Sequence, residues 1–333
     1  MKIMVVGLGS MGKRRIRLIQ AMHPEDILVG VDKNPARIQD VKDTYHIECY
    51  DSIEGAITKE APECAFVCTA PISHGPIIKE CLQSGLHIFT EINLLNDHYE
   101  ENMRLAKEKN CFLFLSSTPV YRGEIKKIKE TVQSNQKPVH YIYHVGQYLP
   151  DWHPWENYKD FFVGDVRTNG CREIFAIEMP WMIGTFGKVK SFHVLSRKLT
   201  GLELKCDDSY LVQLEHENGT QGIFAVDITC REAMRKLEIY NEDLYLEWKG
   251  KPDTLMIKDL ESGELKQIPT DEYQNVSGYS QFVNEYAYVN ELNYFFEKLK
   301  EYQVNGEEAL RDTYGFKEDF DTLELIDKIE NRY

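Results

Sequence analysis

Hydrophobic and polar positions along the first part of the chain follow two alternating periods. Short apolar runs (KIMVVG, ILVGVD, CAFVCTA, HIFTEI and FLFLSST) are separated by segments with the spacing of amphipathic helices, at about 12–22, 35–45, 52–59, 74–84 and 97–109. Near-continuous apolar runs of this length are typical of parallel strands covered on both faces. The order predicts an α/β domain with a doubly wound parallel sheet, a Rossmann domain, over residues 1–121.

The pattern changes in the rest of the chain. A helix over GEIKKIKETVQ leads into strands that alternate with period two, among them VHYIYHVGQY, SYLVQLEH and TQGIFAVDIT. Asn218-Gly219 between two of these strands predicts a tight hairpin turn. Further helices are expected at about 171–186, 281–302 and 307–331. We therefore expect an α+β domain over residues 122–333 with a large, mostly antiparallel open sheet, whose last helix is a candidate to pack back on the first domain.

Composition limits the classes of partner. The 333 residues are 42% hydrophobic and 28% charged, with a net charge of −15 and an isoelectric point of about 5.2. Such an acidic chain disfavours nucleic acid and anionic membrane as partners, because both need a basic surface. No apolar run approaches the roughly 20 residues of a membrane span. The N-terminal apolar run is short and leads into glycines, unlike a secretion signal, so a cytoplasmic location is expected.

The eight cysteines are spread along the chain, with no CxxC spacing and no adjacent histidine cluster of the kind that binds metal. Several lie in apolar strands, such as the two in CAFVCTA. Buried free thiols are the expectation, and no metal site is predicted.

A glycine-rich loop, GLGSMG, follows the first predicted strand and opens the first predicted helix. This is the context that the GxGxxG motif of dinucleotide-binding domains requires. Its glycines allow a tight turn, a close approach to a pyrophosphate and close packing of the helix on the strand. The helix N-terminus adds amide donors and a partial positive charge. The predicted cofactor contacts in this loop are Gly7, Leu8, Gly9, Ser10, Met11 and Gly12.

Asp32 stands twenty residues after Gly12, at the end of ILVGVD. A carboxylate there can accept both ribose hydroxyls of the adenosine and repels a 2′-phosphate, which favours NAD over NADP. Lys33 and Arg37 partly offset that repulsion, so NADP stays a second option. The alternative is a structural glycine turn followed by a chance aspartate.

Two further motifs, TAPISH at residues 69–74 and a strand-end Glu91, join the glycine loop and the antiparallel second domain. With them the chain resembles the glucose-fructose oxidoreductase/inositol dehydrogenase (Gfo/Idh/MocA) family over nearly its whole length. The resemblance implies that a turn and its following histidine border the nicotinamide half of the cofactor. The residues at these positions are Thr69, Ala70, Pro71, His74, Glu91 and Asn93. His74 as a helix-start residue without a ligand is the alternative.

The chain departs from that family in two motifs. The family motif Glu-Lys-Pro reads Glu91-Ile92-Asn93 here. The family also has a helix with an aspartate and, four residues later, a histidine; the corresponding segment here is GCREIFAIEMPWMIGTFG, with Glu173 and Ile177 at those places. Both residues that usually handle the proton are therefore isoleucine, which neither donates a hydrogen bond nor carries charge. Two such losses suggest a coherent change in the site.

Charged residues on the same helix are candidates to replace them. Arg172, Glu173 and Glu178 lie among apolar residues, and buried charges are normally paired or functional. Arg172 could bind a substrate carboxylate or phosphate. An Arg–Glu structural pair is the alternative.

The segment YLPDWHPWENY, residues 148–158, is the other candidate region. His153 could act as a general acid or base near neutral pH. Tyr148, Trp152 and Trp155 are candidate substrate contacts, and the tryptophans offer faces on which a sugar ring could stack. A small core plug or an oligomer contact is the alternative.

The expected function is that of an NAD(P)-dependent oxidoreductase acting on a sugar, sugar derivative or nucleotide-sugar, with hydride transfer at nicotinamide C4 and atypical proton handling. Two alternatives stay open: a catalytically altered or non-enzymatic NAD-binding protein, and a lyase or epimerase that uses NAD transiently. The expected partners are a carbohydrate-like small molecule and further copies of the chain in a homodimer or homotetramer.

Overall fold

The computed structural model describes residues 1–152, 157–270, 282–310 and 313–331. The chain divides into two compact units: unit 1 comprises Met1–Ser117 and Glu291–Asp321, and unit 2 comprises Thr118–Asn290 and Thr322–Tyr333. The predicted domain limits, 1–121 and 122–333, stay a prediction. Within the described residues, none of the helices is long and apolar enough to cross a membrane.

Unit 1 is built on six parallel strands: β1 (Lys2–Val6), β2 (Ile27–Val31), β3 (Glu48–Tyr50), β4 (Cys64–Val67), β5 (His87–Thr90) and β6 (Leu113–Leu115). The helices between them are α1 (Ser10–Met22), α2 (Pro35–Tyr45), α3 (Ile53–Glu60), α4 (His74–Gln83) and α5 (Tyr99–Lys109). The sheet order is β3-β2-β1-β4-β5-β6. This is the predicted doubly wound sheet, whose strand order reverses between β1 and β4. Ligands of such folds bind at the carboxyl ends of the strands at that point.

Phenylalanine rings form much of the core of unit 1. Phe66 stacks on Phe89 with ring centroids 4.5 Å apart, and Phe295 stands edge-on to Phe89 at 5.3 Å. Phe295 belongs to α8 (Glu285–Asn305), and Phe316 begins α9 (Phe316–Ile329). Phe316 packs on Tyr99 at 4.6 Å. These aromatic contacts explain why a C-terminal segment belongs to the same unit as the N-terminal sheet.

Unit 2 contains an eight-stranded sheet: β7 (His140–Gly146), β8 (Val189–Arg197), β9 (Ser209–His216), β10 (Gln221–Asp227), β11 (Met234–Asn241), β12 (Leu244–Trp248), β13 (Met256–Lys258) and β14 (Leu265–Gln267). Its order is β14-β13-β12-β11-β7-β10-β9-β8. Within the described part of this sheet, only β7 and β10 pair in parallel, so the predicted, mostly antiparallel sheet is confirmed. The hairpin between β9 and β10 turns at Gly219, whose φ of +87° suits glycine.

Two helices accompany this sheet, α6 (Gly123–Asn135) and α7 (Gly170–Phe186). Aromatic side chains of α7 pack on the strands: Phe175 meets Phe224 at 5.6 Å, and Phe186 stacks on Tyr141 at 4.2 Å. Asn169 caps the helix by accepting a hydrogen bond from the Arg172 amide at 3.0 Å. α7 therefore packs on the sheet through these rings, and this packing determines which groups surround its polar side chains.

Candidate functional site

The glycine loop of unit 1 is tight where it packs and open where a ligand would approach. Gly7 has a φ of +95°, and a Cβ there would come within 2.8 Å of the Cys68 backbone. A Cβ on Gly12 would lie 1.9 Å from the Gly7 carbonyl oxygen. At Gly9, in contrast, the nearest atom to such a Cβ is Arg37 Nη1 at 4.0 Å. The structure thus leaves backbone accessible beside the first turn of α1, as a bound pyrophosphate requires.

Asp32, just after β2, orients this loop. Its Oδ2 accepts a hydrogen bond from the Leu8 amide at 2.8 Å, and its Oδ1 accepts one from the Asn34 amide at 2.8 Å. Arg37 Nη1 lies 3.7 Å from Oδ2, and Lys33 is exposed beside it. Each carboxylate oxygen has a second lone pair, so Asp32 can hold the loop and still accept a ribose hydroxyl.

The first turn of α1 adds to the fit with a dinucleotide. It begins at Ser10 after the N-cap Gly9 and carries no acidic residue. Ser10 is exposed and Met11 half-buried. Positive potential at the helix start is therefore not cancelled by a neighbouring carboxylate of the same turn. Together with the open backbone at Gly9 and the carboxylate of Asp32, these residues can hold the pyrophosphate and ribose of NAD.

His74, at the start of α4, is buried and bonded at both ring nitrogens. Nε2 lies 2.8 Å from the Thr69 carbonyl oxygen, and Nδ1 lies 2.6 Å from Asn93 Oδ1. Burial lowers the pKa of His74. Pro71 is buried in the same turn and Ala70 exposed. The structure therefore brings Thr69, His74 and Asn93 together, while their contact with a cofactor stays a prediction.

Glu91 makes a buried ion pair that sequence reasoning missed. Arg15 Nε lies 2.6 Å from Glu91 Oε1, and Arg15 Nη2 lies 2.7 Å from Glu291 Oε2. Arg15 is fully buried. Its spacing from Gly12, Ile16 and Ile19 places it on the buried stripe of α1, a signal that could have found it. Glu91 therefore ties the end of β5 to α1, and its contact with a cofactor stays a prediction.

Glu178, on α7 of unit 2, is surrounded by donors. Its Oε2 accepts hydrogen bonds from the Tyr143 hydroxyl at 2.7 Å and from Trp181 Nε1 at 2.7 Å, and its Oε1 pairs with Arg235. The residue is 1% exposed. These contacts give Glu178 a structural role, while its predicted catalytic role stays a prediction.

Arg172 is also engaged within unit 2. Its Nη1 lies 2.7 Å from Asp327 Oδ1 and 2.5 Å from Glu330 Oε2. Asn169 Nδ2 donates to Glu330 as well, at 2.8 Å. The structural pairing considered from the sequence exists, although its acids come from the C-terminal end of the chain rather than from α7. Binding of a substrate anion by Arg172 stays a prediction.

Glu173 has different surroundings on the same helix. Its Oε2 is buried and has no hydrogen-bond partner among the described residues. Burial raises the pKa of Glu173 to about 7. Glu173 and Ile177 are four residues apart on one face and are half-buried, while their neighbours on α7 are buried. An unpartnered carboxylate with this pKa can accept a proton near neutral pH and release it again.

The predicted substrate segment is described in part. The guanidinium carbon of Arg231 lies 3.6 Å from the centroid of the Tyr148 ring. Trp152 Nε1 donates to the Gln147 carbonyl oxygen at 3.0 Å. His153 and Trp155 lie outside the described residues. The roles of Tyr148, Trp152, His153 and Trp155 in substrate binding or catalysis stay predictions.

The N-terminal part of unit 1 has the sequence of a known family. Residues 1–117 match the GFO_IDH_MocA model, described as an oxidoreductase family with an NAD-binding Rossmann fold. This segment belongs to the Gfo/Idh/MocA family. The predicted family and the predicted cofactor, NAD, are thereby confirmed for this segment. No curated protein matches the sequence.

Solved structures show the same fold over the whole length. A Desulfitobacterium hafniense protein described as an oxidoreductase has a TM-score of 0.79 at 13% identity, covering 100% of this chain and 96% of its own. The WlbA dehydrogenase from Bordetella pertussis, in complex with NADH and UDP-GlcNAcA, has a TM-score of 0.73 at 13% identity, covering 100% and 95%. Biliverdin reductase from Synechocystis sp. PCC 6803, in complex with biliverdin and NADP+, has a TM-score of 0.73 at 17% identity, covering 99% and 98%. At such identities the likeness concerns the fold alone.

Proposed function

We propose that the protein is an NAD-dependent dehydrogenase that oxidises a hydroxyl group of a sugar, sugar derivative or nucleotide-sugar, with Glu173 as the general base. The observation that carries the proposal is the buried, unpartnered carboxylate oxygen of Glu173, on the half-buried face that it shares with Ile177. An NAD-binding oxidoreductase that removes a hydride from an alcohol also needs an acceptor for the hydroxyl proton. Glu173 on α7 is the candidate for that acceptor.

In this proposal the glycine loop and Asp32 have the cofactor role, and Glu173 has the proton role. Bound NAD supplies a hydride acceptor at nicotinamide C4, and in unit 1 the glycine loop and Asp32 hold its pyrophosphate and ribose. The Glu173 carboxylate would accept the proton of a substrate hydroxyl, and the carbon of that hydroxyl would give its hydride to the oxidised cofactor, so that an alcohol becomes a carbonyl. With a pKa of about 7, a large share of Glu173 is ionised at neutral pH, and the group can return the proton in the reverse direction.

The nature of the substrate is supported less directly. The fold is shared by a dehydrogenase in complex with a nucleotide-sugar, but also by a reductase in complex with biliverdin. The half-buried rings of Tyr148 and Trp152 agree with a carbohydrate-like substrate. Exposed apolar side chains on one face of the large sheet, such as Leu195, Leu211 and Ile223, support assembly into a homodimer or homotetramer. A cytoplasmic location and some use of NADP belong to the same proposal.

The proposal is tested with a panel of sugars, sugar acids and UDP-sugars, following NADH absorbance and product mass. The wild type should reduce NAD with at least one compound. Glu173→Gln keeps the size of the side chain but cannot accept the proton, so we expect kcat to fall by about 10²- to 10⁴-fold with little change in KM. Glu130→Gln, an exposed change on α6, is the matched control. Full activity of Glu173→Gln would remove Glu173 from the mechanism.

One observation favours a second candidate, an NAD-binding protein without turnover. Arg172 and Glu178 are held in ion pairs, and isoleucine occupies positions 92 and 177. NADH binding without any product across the panel would support this candidate. Product without a net change in NADH would instead indicate a lyase or epimerase. If neither NAD nor NADH binds, the assignment of the glycine loop is wrong.

A further inference from the structure

Ile92 stands between two residues whose side chains are anchored to different helices of unit 1. On one side, Glu91 is paired with Arg15 of α1, with 2.6 Å between Glu91 Oε1 and Arg15 Nε. On the other, Asn93 contacts His74 of α4, with 2.6 Å between Asn93 Oδ1 and His74 Nδ1. Asn93 is 2% exposed. The segment that follows β5 is therefore held from both sides.

The protonation of His74 defines what Asn93 must do. Burial lowers the pKa of His74, and a neutral ring can donate through only one nitrogen. The Thr69 carbonyl oxygen can only accept a hydrogen bond, so Nε2 carries the ring proton. Nδ1 is then unprotonated and needs a hydrogen-bond donor. Asn93 Nδ2 donates this hydrogen bond when the side-chain amide is turned by 180°. The orientation of an amide is assigned from its hydrogen-bond network.

The turn held by His74 lies against the glycine loop. A Cβ on Gly7 would meet the Cys68 carbonyl group at 2.8 Å and Thr69 Cγ2 at 2.9 Å. Ser73 Oγ donates to Thr69 Oγ1 at 2.9 Å and closes the turn from its other end. β1 and β4 are neighbours in the sheet, so Thr69 follows β4 at the point where the strand order reverses and where ligands of this fold bind.

We propose that Asn93 is a positioning residue for the cofactor. Through His74 it fixes the Thr69 carbonyl, and with it the turn formed by residues 69–71, beside the nicotinamide end of the dinucleotide. Asn93 itself does not touch the cofactor. The inference rests on the NAD binding of the proposed function, and it assigns to this chain's own asparagine the task of holding the turn.

The test compares two ligands that differ in the nicotinamide. ADP-ribose reaches only the glycine loop and Asp32, whereas NADH also reaches the turn formed by residues 69–71. Asn93→Ala should weaken NADH binding by about tenfold, the effect of one well-placed hydrogen bond, and leave ADP-ribose binding within about twofold. The fluorescence emission of bound NADH, which reports the surroundings of the nicotinamide, should shift toward that of the free cofactor.

Two further variants make the result decisive. His74→Gln should give the same selective loss, and the Asn93→Ala/His74→Gln double variant should lose no more than either single variant, because both act through one link. Asn102→Ala is the matched control: Asn102 is equally buried but donates to the Gly75 carbonyl oxygen at 3.0 Å. It should leave NADH binding unchanged.

The outcomes separate this inference from the proposed function. Unchanged NADH binding in Asn93→Ala, an equal loss in Asn102→Ala, or additive losses in the double variant would overturn the positioning role while NAD binding stands. A wild-type protein that binds neither ADP-ribose nor NADH would overturn the proposed function, and the positioning role with it.

Discussion

Glu173 and Glu178 lie five residues apart on α7 and have opposite surroundings. Glu178 receives hydrogen bonds from Tyr143 and Trp181 and an ion pair from Arg235. Glu173 is half-buried, with one buried carboxylate oxygen that lacks a partner among the described residues. Burial alone raises the pKa of Glu173 to about 7. Partners, rather than residue type, therefore separate a structural acid from a candidate base.

The same distinction holds in unit 1. Glu91 is fixed by Arg15, whereas Asp32 is held by the backbone amides of Leu8 and Asn34. A carboxylate that accepts hydrogen bonds from neutral backbone amides can still bind a ligand. A carboxylate held by two parallel N–H groups of a guanidinium is less available. Asp32 is therefore the better candidate for ligand contact, although both acids follow parallel strands.

The largest expected effect comes from breaking the Glu178 cluster. Glu178→Ala leaves the Arg235 charge without its pair and removes the acceptor for two buried donors, which should lower the free energy of unfolding by about 3–5 kcal/mol. Urea denaturation measures the change. Glu130→Ala, in an exposed pair with Lys127, should change it by less than about 0.5 kcal/mol. Equal losses would show that the cluster around Glu178 contributes no special stability.

Glu173→Gln should act in the opposite direction on stability. The pKa of Glu173 in the folded protein is about 7 against 4.5 for the free group, so the folded state favours the neutral carboxyl. The stability from that preference is fully present below pH 4.5 and lost as the pH rises through 7. At pH 8 the variant should be more stable than the wild type, by on the order of 2 kcal/mol. This gain is smaller than the full pKa difference implies, because the side chain is half-buried and water screens its charge in part. At pH 4 we expect no difference, and a gain independent of pH would contradict this account.

The smallest expected effect concerns Asp32. Asp32→Asn keeps the shape of the side chain but replaces one acceptor oxygen by a donor, which should weaken NAD binding by about tenfold, or about 1.4 kcal/mol. NADP binding should weaken less, because the repulsion of the 2′-phosphate is removed. Calorimetry with both cofactors gives the ratio. Asp43→Asn, exposed on α2, should leave both affinities unchanged, and an unaltered NAD to NADP ratio in Asp32→Asn would remove Asp32 from cofactor selection.

Local pattern determined much of this protein. The alternation of apolar runs and helical segments predicted the parallel sheet, and the period-two strands predicted the antiparallel one, because both periods reflect which side chains face a core. GLGSMG with Asp32 predicted a cofactor site, since its glycines act within one strand–turn–helix unit. The three-residue strands β3 and β14 were missed because ECY and LKQ are too short to show a period.

Only the tertiary structure decided what each charged residue does. Arg15 meets Glu91 and Glu291 across 76 and 276 residues of chain, and Arg172 meets Glu330 across 158. No local pattern reports such pairs, because the free energy of a buried charge depends on partners that folding brings from distant segments. For the same reason, Glu173 and Glu178 look alike in the sequence GCREIFAIEMPW. Their difference arises only in the folded chain, where Glu178 meets three donors and Glu173 keeps one buried oxygen without a partner among the described residues.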